Sequence, residues 1–478
     1  ALTGLGAWLA ACLAGAAEGD FLWSVSAGDI STEVATAAVT DASGNVYVTG
    51  SFKTTVDFDP GPGVTALSGA NNSDDIFLAK YNGDGALVWA HRFGDTAVDR
   101  GYGIALGDGD HVYITGHFRL TADFDPGPGT ASLTAAGNSD IFVAKYTTDG
   151  DYVWAGRMGG TMADRGHAIV VDSAGAALVS GYFIGSADFD PGAGTTTLNA
   201  GGNTGCFAMK LNADGTLAWA RYFGAGASDI AYGVATDDDG AAYVTGTVTG
   251  VVDFDPGAGT ASQGTAGVAE AFVLKLDADG LYEWASIFPE STSIQGSSVT
   301  VADDGGVYAV GTFSAAADFD PGPGTASISP AGGSDGYIVK LDAAGALVWA
   351  QRIGGGQNDS ASDVALDAAG NVYVSGAFGG TVDFDPGAGA ANRTAAGTSD
   401  AYVLKLDASG AFLAVYVFTS DGAADAATAV IDIDGNVIAA GSYTGTADFD
   451  PGAGTASATS AGDSDLFVAA LSGPPVPI

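Results

Sequence analysis

The chain has 478 residues, 75 of them glycine, and its 56 acidic and 15 basic side chains give a formal net charge of −41. A hydrophobic share of 47% supplies ample material for a core and excludes a disordered acidic tail. The charge excludes nucleic acid and anionic membrane surfaces as partners, and two cysteines exclude a disulfide framework or a cysteine-rich zinc site. Among the acidic residues only Glu18, Glu33, Glu270, Glu283 and Glu290 are glutamate; the rest are aspartate, a turn former's bias.

In chain order, residues 1–20 come first as an apolar N-terminal segment, uncharged from Ala1 to Ala17. It reads as a secretory hydrophobic region: Leu9-Ala-Ala-Cys12 matches a lipobox, making Cys12 a lipidation candidate, and Ala14-Gly-Ala16 suits a signal peptidase. As a signal remnant it says only that the chain is exported. If retained, it is an assembly or anchor element, and the chain's one route to a membrane. Phe21-Leu-Trp-Ser-Val25 follows as the first strand.

From there the chain repeats. Asp-Phe-Asp-Pro-Gly starts at Asp57, Asp123, Asp188, Asp253, Asp318, Asp383 and Asp448, a first step of 66 residues and then steps of 65. Trp23, Trp89, Trp154, Trp219, Trp284 and Trp349 keep the same beat, with Ala414 in the last slot. So do Lys80, Lys145, Lys210, Lys275, Lys340 and Lys405, followed by Ala470. Within one unit, Gly101–Leu106, Val112–Thr115, Ile141–Tyr146 and Tyr152–Ala155 are short β-type runs. Turn sequences separate most of them, and a long loop carries the Asp-Phe-Asp-Pro-Gly string.

Four strands in each of seven units predict an all-β, seven-bladed propeller of four antiparallel strands per blade over residues 21–472. The last repeat ends without its Trp-type strand, so the N-terminal strand is expected to complete the last blade and close the ring, removing exposed sheet edges. First strands crowded with small residues (Gly101, Gly103, Ala231, Gly233, Ser297, Ser298) suit the convergence at the axis. The Trp strands fit the splayed outside. A Pro-rich tail, 473–478, ends the chain.

The units resemble the bacterial seven-bladed β-propeller repeat known as SBBP, on the pattern from Gly44 to Gly94 and its equivalents. The resemblance implies an exported bacterial scaffold or binding module, extracellular or at the cell surface, with no general catalytic residues. Gly205, in place of the acid seen at Asp75, Asp140, Glu270, Asp335, Asp400 and Asp465, and Ala414, in place of Trp, depart from the repeat.

The loop string is the strongest candidate for chemistry. Two aspartates two residues apart point to one side of an extended chain, about 7 Å from each other. That spacing suits a hard cation, and Pro-Gly could bring in carbonyl ligands. The candidate metal ligands are Asp57 and Asp59, Asp123 and Asp125, Asp188 and Asp190, Asp253 and Asp255, Asp318 and Asp320, Asp383 and Asp385, and Asp448 and Asp450. Calcium is the natural ion for such an oxygen-only set. The competing reading makes each Asp an Asx-turn cap and each Phe a hydrophobic peg.

The Asp75/Lys80 pairing recurs in near-identical copies, which argues against a catalytic lysine; each Lys is expected to lie along a Trp and reach a carboxylate. His91, His111, His117 and His167 show neither metal spacing nor a nearby nucleophile. No catalytic residues or cofactor other than calcium are therefore expected. The function expected is a structural subunit of an extracellular assembly (filament, sheath or surface layer) through self-association or other surface proteins. The alternative is a propeller-face module that binds glycan or protein.

Overall fold

The computed structural model describes residues 17–107, 110–226, 228–289 and 293–473. Cys12, most of the apolar segment and nearly all of the Pro-rich tail lie outside the described residues. Among the described residues every regular element is a β-strand, and the strands pair antiparallel in consecutive meanders.

The first meander is Val34–Thr40, Val46–Phe52, Asp75–Tyr81 and Leu87–Phe93, hydrogen-bonded in that order. The pattern then recurs. Arg100–Gly107, His111–Phe118, Asp140–Thr147 and Tyr152–Gly160 form the next unit, joined at Gly159 and Gly160 to Asp188 and Ala187 of the unit after it. Further units begin at Arg165–Val171, Ile230–Thr236, Ile294–Val301 and Asp363–Leu366. The final sheet holds Ala424–Ile431, Val437–Tyr443 and Asp465–Leu471, and its outer strand is Phe21–Ala27 from the other end of the chain. Glu18 pairs with Lys405 and Gly19 packs on the Tyr416 ring, so the entering chain lies beside the slot where Ala414 replaces Trp.

Turn chemistry explains the meanders and the aspartate bias together. Asp41 Oδ1 accepts from the Ser43 and Asn45 amides, both at 2.9 Å, while Gly44 takes a φ of 73°. Asn82, Asp172, Asp277, Asp342, Asp367, Asp407 and Asp432 cap turns in the same way.

Neighbouring units pack through rings. Phe93 stacks on Phe124 and Tyr146 of the following unit, at 6.0 and 5.1 Å. Each Trp indole on the outer strand reaches forward: Trp89 Nε1 donates to Thr148 O at 3.2 Å, and Trp219 Nε1 to Ala278 O at 2.9 Å.

The first strand of a unit carries a bulge. Ala35 pairs with Gly50 and Ala37 with Thr49, leaving Thr36 without a ladder partner. The same slip skips Tyr102, His167, Tyr232, Ser297 and Ala427. It also explains one glycine in every unit: a Cβ on Gly116 would collide with the Arg100 carbonyl across the bulge, and one on Gly246 with that of Ile230.

Candidate functional site

The Asp-Phe-Asp-Pro-Gly segment is a small hairpin rather than an open loop. Thr55–Asp57 pairs with Ala66–Ser68, and equivalent short ladders flank the later copies. Asp57 Oδ1 accepts from the Asp59 amide at 3.1 Å and the Thr65 amide at 2.8 Å; Asp59 Oδ1 accepts from the Gly61 amide at 2.8 Å. The same three bonds recur at Asp123/Asp125, Asp188/Asp190, Asp253/Asp255, Asp318/Asp320, Asp383/Asp385 and Asp448/Asp450. The intervening Phe is buried: Phe58 meets Phe52 edge-on at 5.6 Å and Phe77 at 5.0 Å. One oxygen of each loop aspartate therefore serves backbone amides. Among the described residues no group of three or more His, Cys, Asp or Glu could hold a metal ion.

The repeated lysines and acids do not pair with each other. Asp75 takes Arg92 Nε at 2.9 Å, and Asp140 takes Arg157 Nη1 at 2.6 Å. Lys80 stands opposite Trp89 in register, but its ammonium lies over the Tyr47 ring and donates to Thr148 O at 3.0 Å in the next unit. Lys210 and Lys275 reach carboxylates, Asp172 at 2.8 Å and Glu283 at 3.0 Å. Sequence spacing assigned the acid to the wrong cation because Lys80 and Asp75 occupy opposite ends of one strand. At Gly205 the acid is absent and Tyr222 stands at the arginine position, its ring filling the space a Cβ would need.

Asp75, Asp140, Asp335 and Asp465 each lie beside a second buried acid that sequence reading did not single out. A Cβ on Gly94 would meet both Asp75 and Asp99, and one on Gly354 both Asp335 and Asp359. Burial pushes Asp99 up to about 7, and its neighbours Asp95 and Asp75 add to the rise. Glu33 is likewise pushed to about 7 by burial, with Asp29 and Asp465 contributing. Asp164 and Asp335 are raised to about 6, again mainly by burial. Glu33 Oε1, Asp75 Oδ1, Asp140 Oδ1 and Asp335 Oδ1 are buried without a hydrogen-bond partner. None of these acids lines the cavity at the first strands.

The concave site is elsewhere. A cavity of about 460 Å³ is lined by the first strand of every unit, including Thr36, Tyr102, His167, Tyr232, Ser297, Ser362 and Ala427. The strands converge closely: a Cβ on Gly103 would lie 3.1 Å from Ala168 Cα in the neighbouring unit. Small residues permit that approach, as the sequence implied. The bulges then aim one residue per strand differently from its neighbours.

Those aimed residues are unlike one another. Tyr102 and His167 rings lie 5.3 Å apart, and His167 and Tyr232 rings 5.0 Å apart, making a continuous aromatic wall over three adjacent units. His117 and Tyr182 back the wall, 5.6 Å from Tyr102 and from His167 respectively. Burial holds His117 and His167 down to about 3, with Arg165 adding to the fall, so both imidazoles are neutral at ordinary pH. The far side is polar: Asp363 accepts from Ser298 Oγ at 2.6 Å and Thr428 Oγ1 at 2.7 Å. Reading the first strand as uniformly small passes over Tyr102 and Tyr232, which sit between small residues. The signal available was their departure from Thr36 and Ser297 at one repeat position.

Repeated four-stranded antiparallel meanders define the class of β-propeller repeat proteins. Residues 218–250 match the SBBP family model, described as a beta-propeller repeat. The residues of that segment recur along the chain. The chain is 25% identical over 391 residues to the regulatory protein FlaEY of Caulobacter vibrioides, covering 77% of this chain and 38% of that protein. It is also 25% identical over 351 residues to an uncharacterized WD repeat-containing protein of Acanthamoeba polyphaga mimivirus, 62% of this chain and 25% of that one. It thus spans well under half the length of these curated relatives. A Bacteroides caccae protein of unknown function aligns in structure with a TM-score of 0.35 and 10% identity, over 70% of this chain and 88% of that one.

Proposed function

We propose that the chain is a seven-bladed propeller, its ring completed by Phe21–Ala27 in the last blade, and that it serves as a non-enzymatic binding module whose ligand sits in the axial cavity. One observation carries this reading: repeat positions that pack are nearly uniform, whereas the bulge positions lining the cavity form a one-sided aromatic wall. A scaffold alone has no need of that asymmetry. Saturation-transfer NMR against a small-molecule and glycan panel tests it, with Tyr232→Ala as the control. Ligands that contact wild-type protein and lose contact in the variant support the reading; contacts unchanged in the variant refute it.

The assembly-subunit reading has its own observation. Leu22, Val88, Val153, Val348 and Leu413 are exposed at one register position of the outer strands. An apolar residue at a sheet edge favours contact between copies. Sedimentation of wild-type protein against a Val88→Lys/Val348→Lys variant tests this; self-association weakened by the variant supports it. Calcium at the loop aspartates is a separate proposal, supported by their pairing and spacing. A fall in unfolding midpoint on chelation favours it, and an unchanged midpoint assigns the aspartates to turn formation alone. An extracellular or surface location follows from the resemblance and is tested by cell fractionation.

A further inference from the structure

We infer that the junction joining the two ends of the chain is a proton-operated latch, in which a proton shared by Glu33 and Asp465 takes the place that an arginine fills at the other paired-acid junctions. The inference stands apart from the reading of the axial cavity and concerns how the first and last units hold together.

Four junctions share one plan: a third-strand acid of one unit meets a second acid just before the first strand of the next. The amide of that second acid donates back across the junction, Asp99 N to Asp74 O at 2.8 Å, Asp164 N to Ser139 O at 2.9 Å, Asp359 N to Ser334 O at 2.7 Å and Glu33 N to Ser464 O at 2.9 Å. In the first three an outer-strand arginine binds the third-strand acid: Arg92 on Asp75 at 2.9 Å, Arg157 on Asp140 at 2.6 Å and Arg352 on Asp335 at 3.3 Å. Where Tyr222, Ile287 and Val417 replace that arginine, one acid is replaced as well, by Gly205, Ile294 and Ala424 respectively. Two carboxylates with one guanidinium, and one carboxylate alone, leave the same single negative charge.

The end-to-end junction breaks this balance. Its arginine position is Ser26, opposite Phe467, yet Asp465 and Glu33 are both kept. Tyr443 stands where Phe52, Phe118 and Phe313 face the acid in the other three, and its hydroxyl lies 2.7 Å from Ser26 Oγ. The charged neighbours do not supply the missing cation. Asp29 adds a carboxylate, its amide donating to Glu33 Oε2 at 3.0 Å, and Lys53 turns its ammonium to Asp74 at 3.7 Å. Asp99 fills both oxygens with the Asp95 and Arg119 amides, at 2.8 and 2.7 Å, whereas Glu33 leaves Oε1 buried without a partner. An O–H on that oxygen lets two buried acids adjoin. Among the described residues these carboxylates form no group that could hold a metal ion, which leaves a proton as the neutralising charge.

Burial raises Glu33 to about 7, so the folded chain keeps this proton up to about that pH and loses it above. At the other junctions continuous chain links the two acids. Here they come from opposite ends of the chain, and no turn ties Phe21–Ala27 to its partner Asp465–Leu471. Loss of the proton sets two carboxylates against each other at the place that strand pairing alone holds shut.

The test is hydrogen–deuterium exchange of the full chain between about pH 5.5 and about pH 8.5, corrected for intrinsic amide rates. Protection of Phe21–Ala27 should fall at least about fivefold across that range, and that of Leu87–Phe93, whose junction keeps Arg92, should fall less. Glu33→Gln, which keeps a donor at the junction without a proton to lose, should hold protection at its acid value throughout. Asp465→Asn should do the same. Ser26→Arg/Tyr443→Phe restores the arginine pattern and should remove the difference between the two strands. Circular dichroism establishes that each variant is folded. Parallel loss of protection in the two wild-type strands, or a pH dependence of Phe21–Ala27 that survives Glu33→Gln and Asp465→Asn, overturns the latch. Recovery at the alkaline end on adding millimolar calcium at constant ionic strength assigns the charge to a metal ion and overturns the proton.

Discussion

The loop hairpins and the axial strands are built from the same repeat but have been used in opposite ways. In every hairpin the aspartates cap amides and the phenylalanine plugs a core, so each copy does one packing job and stays alike. In the axial strands the bulged residue is excused from the ladder, and threonine, tyrosine, histidine, serine and alanine all occupy it. Where a repeat position carries packing, substitution is costly; where a bulge releases a side chain into a cavity, identity is free to vary.

That contrast can be broken most sharply in the cores. Phe254→Ala should lower stability by about 3–5 kcal/mol, read from urea unfolding, because a fully buried ring leaves a cavity. Tyr232→Ala, partly exposed at the axis, should lower it by under about 1 kcal/mol. Comparable losses from the two would make the aromatic wall a core rather than a site.

A second probe concerns the junction where the repeat departs from its pattern. Gly205→Asp should destabilise by about 1–3 kcal/mol, since the new side chain meets the Tyr222 ring. Adding Tyr222→Arg, which restores the pairing seen at Asp75/Arg92, should recover most of that loss in a double-mutant cycle. Additive effects would show that the pairing is not a unit. In the hairpins, Asp253→Ala should cost about 1–2 kcal/mol by leaving two loop amides without their acceptor.

A further effect is on pH dependence. Glu33, Asp99, Asp164 and Asp335 hold their protons to higher pH folded than unfolded, up to about 7 for Glu33 and Asp99 and about 6 for the other two. The folded state therefore binds more protons than the unfolded state from about pH 4 up to about pH 7, and stability should fall as pH rises through that window. Midpoints of thermal unfolding across the window check the sign. Asp99→Asn should flatten part of the slope, and a Tyr232→Ala profile parallel to wild type would confirm that the acids lie in the packed units and not at the axis.

Much of this was legible in the chain. The 65-residue beat, the four β-runs and the turn aspartates identify the meander, and the incomplete last repeat anticipates that Phe21–Ala27 pairs with Asp465–Leu471. The buried phenylalanine of the loop was readable as a peg. The cation partner of Asp75 was not, because Arg92 is brought beside it by strand pairing rather than by closeness in sequence. Nor was the acid–acid contact between Asp75 and Asp99, which requires the fold to bring one unit's third strand against the approach to the next unit's first.

Sequence by itself determined the repeat unit and its closing strand pairing, because hydrophobic alternation and turn residues act locally and recur with each copy. Only tertiary structure decided what the irregular residues do. Tyr102, His167 and Tyr232 stand 65 residues apart, and a bulge in each strand together with the convergence of neighbouring units brings them into one wall. The −41 charge is periodic, and many of the aspartates that carry it accept from turn amides.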